Sequence, residues 1–161
     1  MPMPEMPLWA LALNYWLHLL ATITWLGGLV MLTVMARRLP PEAQTWLDAL
    51  EKRFRPLVNA SMAILLITGF FQSSADPNYG GLLVIDSTWA LALFAKHILF
   101  VGMVGISLAL QMTVLPELDR ARLLRDETAI GAQRGRIRTM TTINLVLGVG
   151  VLALTAVMTA V

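Results

Sequence analysis

The sequence holds two histidines, His18 and His97, and each falls inside a long apolar run. An ionisable group held in hydrocarbon is costly and marks a functional position by default. Trp9 precedes His18 by nine residues, and Trp89 precedes His97 by eight. If the two tryptophans mark one membrane interface, a rise of 1.5 Å per residue puts the imidazoles at about 14 Å and about 12 Å depth. Asn14, His18, Thr22 and Trp25 recur at i, i+4, i+8 and i+11, one semi-polar helical face. Asn144, Gly148, Val151 and Thr155 make a similar face near the C-terminus, and Gly69 offers space at a comparable depth.

Two imidazoles at matched depth, with no cysteine in the chain, suit bis-histidine ligation of haem b. Asn14, Thr22, Trp25 and Lys96 would surround it. With both axial positions filled, such a site favours electron transfer or redox sensing. An enzyme built on it would be an oxidoreductase acting through the bound haem. Copper is the competing metal: His18 and His97 with Met103, or the thioethers of Met1, Met3 and Met6, are donors that Cu(I) accepts. The plainer reading makes both histidines neutral core residues, hydrogen-bonded to Asn14, Thr22 or backbone. Lys96 is turned about 100° from His97 on a helix, so the two cannot both face one axis. It either snorkels toward headgroups or meets the carboxylates of a porphyrin. The apolar runs contain no carboxylate and no Ser/His/Asp set, so hydrolytic chemistry is not indicated.

The elements that must position these groups are membrane spans. The 161 residues are 57% hydrophobic and only 14% charged, where soluble domains carry about a quarter charged. The spans run over about 8–36, 56–74, 88–115 and 139–161, making a single transmembrane domain. MPMPEMP at the start cannot be helical with three prolines. It also lacks a signal peptide's basic region and is expected to stay in the mature protein. Residues 41–55 form an amphipathic interfacial helix, with Trp46, Leu47, Leu50 and Phe54 on one face. Pro56 fits an early position of the second span, and Pro116 marks the end of the third. Gly131 and Gly135 interrupt the polar stretch Glu117–Arg138.

Five basic residues lie between the first two spans, and six lie between the last two. Lys96 is the only other one. The positive-inside rule then puts both termini outside and both basic loops in the cytoplasm of a bacterial-type inner membrane. The pI of about 9.5 reflects this topology and not nucleic-acid binding. The fold expected is all-α: an up-down-up-down four-helix bundle, N-out and C-out. Spans one and three are diagonal, on the order of 11–14 Å apart. The Arg-Phe-Arg then Asn59 and Arg-Ile-Arg then Asn144 patterns suggest two pseudo-equivalent hairpins. Apolar outer faces leave room for lipid or for a second copy in a homodimer. A membrane or periplasmic redox partner would complete an electron-transfer role.

Leu17-His18-Leu19-Leu20 with Trp25-Leu26-Gly27-Gly28, then Arg53-Phe54, Thr68-Gly69 and Lys96, resemble the CopD-like (copper resistance D domain) membrane family, over roughly residues 10–115. That resemblance implies a four-helix unit with a role in copper passage. The sequence is also similar to the HemJ-type protoporphyrinogen oxidases, four-span proteins that bind haem b. In those, a first-span histidine and a third-span lysine are functional. Their roles would fall on His18 and Lys96. The Leu-Pro-Arg type motif that follows the first span in HemJ-type proteins is replaced here by Met31–Met35.

Overall fold

The computed structural model describes residues 7–40 and 43–161. The thioethers of Met1, Met3 and Met6 therefore lie outside the described residues, as does the start of the interfacial segment. Five α-helices follow in order: α1 (Leu8–Arg38), α2 (Gln44–Ser74), α3 (Thr88–Ala109), α4 (Leu115–Leu123) and α5 (Glu127–Ala160). A π-turn, Leu110–Val114, joins α3 to α4. There is no strand among the described residues. Four helical segments are long and apolar enough to cross a membrane, with α3, the π-turn and α4 counting as one.

The helix ends follow local chemistry. Ser87 caps α3 by accepting from Ala90 N–H at 3.1 Å, and Asp126 caps α5 by accepting from Ala129 N–H at 3.0 Å. These side chains satisfy donors that the first turn leaves unpaired. Between α4 and α5, Arg125 takes φ 54°. Asp126 N–H reaches Ala121 O at 3.0 Å, and Arg125 N–H reaches Arg122 O at 3.1 Å. This is a Schellman end with arginine where glycine is usual.

Two prolines behave differently from their sequence reading. Pro56 lies inside α2, which runs unbroken from Gln44 to Ser74, so the amphipathic segment and the second span are one helix. Leu47 and Phe54 face inward against the bundle, and Phe54 packs where Gly28 lacks a side chain. Pro116 does not end the third span. Its ring would crowd the carbonyl four residues back. The helix widens instead, and Leu115 N–H bonds to Leu110 O, five residues back. At this π-turn Gln111 and Asn59 exchange two amide hydrogen bonds, at 3.0 and 2.9 Å. α5 likewise runs through Gly131 and Gly135, extending the last span toward its N-terminus.

Hairpin α1–α2 and hairpin α3–α5 are each closely packed, and α1 also packs on α5. Across the diagonal, Trp25 of α1 meets Phe100 of α3 edge-to-face, with centroids 5.8 Å apart. Trp25, Leu29, Met62 and Met103 form the central core. The two hairpins differ in partners: Asn59 pairs with Gln111, whereas Asn144 donates to Ser107 at 2.9 Å. Trp9 is 71% exposed, as an interface anchor should be, but Trp89 is only 5% exposed and packs against Tyr79 and Met158. Trp89 is a core residue and gives no depth mark. At the end carrying Arg37, Arg38 and the α4–α5 connection, here termed the basic end, Asp48 of α2 pairs with Arg122 of α4 and, at 3.7 Å, with Arg134 of α5.

Candidate functional site

His18 faces α2, and its surroundings fix its tautomer. Its Nδ1 lies 2.8 Å from Thr68 Oγ1. Thr68 spends its single hydroxyl hydrogen on Ile64 O at 2.6 Å, so the hydroxyl oxygen must accept from His18 Nδ1–H. A neutral imidazole with its proton on Nδ1 carries a free lone pair on Nε2. Gly69 lies beside the ring, where a Cβ would stand in ordinary van der Waals contact, 3.5 Å from His18 Cε1. Asn14 ties the same stretch of α2 from one turn away, its amide 3.3 Å from Thr68 O. Thr22 donates to His18 O at 2.8 Å, within α1.

Beside the imidazole is a cavity of about 120 Å³, walled by His18, Thr22, Trp25, Lys96, Phe100 and Met103, with Gly148, Val151 and Thr155 of α5 closing it. The inward faces expected on α1 and α5 therefore meet here. Gly148 is essential to the shape. A Cβ added there would collide with Leu26 and come within 3.1 Å of Met103 Cε.

Of the sequence-derived site residues, His18, Thr22, Trp25 and Lys96 line this cavity, and Asn14, also on α1, ties α1 to Thr68 of α2 beside it. His97 is not in its wall. Its Nδ1 lies 2.8 Å from Leu93 O on its own helix. Leu93, Met103 and Ser107 are buried, and Phe100 packs on the core. With Lys96, they fall within an arc of about 80° at about 100° per residue, and His97 lies about 80° from the middle of that arc. Lys96 has no hydrogen-bond or ion-pair partner among the described residues and shares the cavity with His18. Of Gly27 and Gly28, only Gly28 serves close approach, against Phe54. Thr68 is the residue that sequence reasoning left without a role. Its signal was the Thr68-Gly69 pair at the depth of His18.

On the basic-end side of Trp25 lies a smaller chamber of about 60 Å³, lined among others by Trp25, Glu51, Arg55, Ser107, Thr141 and Asn144. Two wider cavities follow at the basic end, about 340 and about 420 Å³, both bounded by Asp48, Glu51 and Arg134. Neither of these holds an imidazole or a thioether in its wall. The His18 cavity holds both, in His18 and Met103. No group of three or more His, Asp or Glu side chains suited to a metal occurs among the described residues.

The family profile described as copper resistance protein D matches residues 48–158. The matched stretch holds Thr68, Lys96, Met103 and the last span, and it begins after His18, so it covers more of the C-terminal half than the sequence resemblance did. No curated protein and no solved structure matches the chain.

Proposed function

The chain belongs to the copper resistance protein D family, and on that premise we propose that it is a multi-pass membrane protein that carries Cu(I) as cargo through the His18 cavity. One observation carries the reading. The hydrogen bond to Thr68 puts a neutral His18 ring in the tautomer whose Nε2 has a free lone pair, on a ring that shares a cavity with the thioether of Met103. Unprotonated imidazole nitrogen and thioether sulfur are donors that Cu(I) accepts. A carboxylate-free wall leaves little for hard cations such as Mg²⁺ or Ca²⁺. Thr68 acts on the metal through His18, orienting the ring and setting its tautomer. With the basic end in the cytoplasm, the cavity lies in the outer half of the bilayer, within reach of the outer surface.

A haem held between His18 and His97 does not fit these residues. His97 is absent from the wall, and about 120 Å³ falls well below the 300 Å³ or more that even a drug-sized ligand takes up. The test is a competition titration of the detergent-solubilised protein against a chromophoric Cu(I) chelator. His18→Ala and Met103→Leu are each expected to weaken binding about tenfold or more. Wild-type protein that fails to take Cu(I) from the chelator, or both variants binding as wild type, would overturn the reading.

A further inference from the structure

Three residues that line the chamber beyond Trp25 each carry a buried polar atom without a partner: Trp25 Nε1, Arg55 Nε and Asn144 Oδ1. Trp25 is 2% exposed and Asn144 is 0% exposed, so bulk solvent does not reach them. An orphaned buried donor or acceptor costs about 1–3 kcal/mol, and most such groups in folded proteins have partners. The guest that satisfies all three must accept from the indole and the guanidinium and donate to the amide oxygen. A bare cation cannot accept from N–H. A simple anion cannot donate to Asn144. Water does both, and about 60 Å³ holds about two molecules at the volume of the liquid.

The position of the chamber gives that water a use. Trp25 is in the wall of both the His18–Lys96 cavity and the chamber. Glu51 is in the wall of the chamber and of both basic-end cavities, and Thr141 links the chamber to one of them. Glu51 is thus the one carboxylate that borders the chamber. The charged groups that share its cavities are Asp48, Lys52 and Arg55 on α2, Asp119 and Arg122 on α4, and Glu127, Arg134 and Arg138 on α5. Asp48 is already engaged by Arg122 and Arg134, while Glu51 makes no ion pair among the described residues and keeps its oxygens for water.

We propose that the chamber is a water-filled branch of the basic-end cavities, in which Glu51 passes protons to and from the chamber water that reaches the Trp25 indole N–H. The proton moves along hydrogen bonds from Glu51 through the chamber water, or in reverse, and no other bond is made or broken. The branch itself does not depend on copper.

The test is therefore made on copper-free protein. In full-length, ¹⁵N-tryptophan-labelled protein in micelles, the five tryptophans give five indole signals, and Trp25→Phe identifies one of them. On transfer to ²H₂O, the Trp25 indole is expected to exchange at least tenfold faster than that of Trp89, which is buried but borders no such chamber. Glu51→Gln should slow Trp25 exchange at least tenfold while leaving Trp89 unchanged. Asn144→Leu, which fills the chamber with an apolar group, should do the same. Exchange of Trp25 as slow as that of Trp89 overturns the water-filled chamber. Fast exchange that Glu51→Gln leaves unchanged overturns the role of Glu51. Failure of copper binding, with these exchange results intact, would refute the cargo and not the branch.

Discussion

Replacing Thr68 by valine removes one oxygen and one hydrogen bond to His18 while nearly keeping the shape of the side chain. Thr68 is buried, so water cannot take over as acceptor. His18 Nδ1–H, now 2.8 Å from a methyl carbon, loses a partner worth about 1–3 kcal/mol. The ring can recover that energy by turning away, or by moving its proton to Nε2, and either response spoils the donor atom for a metal. At about 1.4 kcal/mol per tenfold, the loss corresponds to about 10- to 100-fold in Cu(I) affinity, the range found when a residue orienting a metal-bound histidine is removed. Serine keeps the hydroxyl, so Thr68→Ser should bind within about threefold of wild type. The assay is the chelator competition, run beside thermal unfolding in the same detergent to separate affinity from stability. Wild-type affinity in Thr68→Val would refute the reasoning, because the tautomer would then not depend on Thr68.

Three further changes probe the frame around the site. Gly148→Ala forces a methyl group into Leu26 and toward Met103; overpacking of this kind costs about 1–3 kcal/mol and should lower both thermal stability and Cu(I) affinity. Arg125→Gly relieves a left-handed backbone position and should raise stability by about 1 kcal/mol, read as a higher unfolding midpoint with copper binding unchanged. Asp48→Asn removes the charge that holds Arg122 and Arg134 together. These groups are partly exposed, so a loss of about 1 kcal/mol is expected, shrinking as salt is added; a salt-independent loss would point to packing instead.

Much of this could be read from residues alone, because bilayer physics is blunt. Apolar length gave the spans, the run of arginines gave the basic end, and the polar face Asn14–His18–Thr22–Trp25 gave the inward side of α1. Prolines misled for an equally physical reason. Pro56 and Pro116 each lack an N–H, yet packed neighbours and a π-turn absorb the defect, and a sequence carries no sign of that absorption. Trp89 was taken for an interface anchor because tryptophan suits both interface and core.

The choice between Lys96 and His97 shows where the boundary lies. By itself the sequence determined that one of two adjacent side chains, about 100° apart, could face the interior opposite His18. α3 is apolar on every side, so no contrast between wet and dry faces reports its rotation. Only packing set that angle. With Leu93, Met103 and Ser107 turned inward, Lys96 lies on the inner face and His97 does not. The partner of His18 was decided the same way. Thr68 lies 50 residues away in the chain, and only the closure of α2 onto α1 over Gly69 brings its oxygen to the ring. The sequence determined the ionisable groups and the spans that carry them, and the rotation of the helices decided which of them share a cavity.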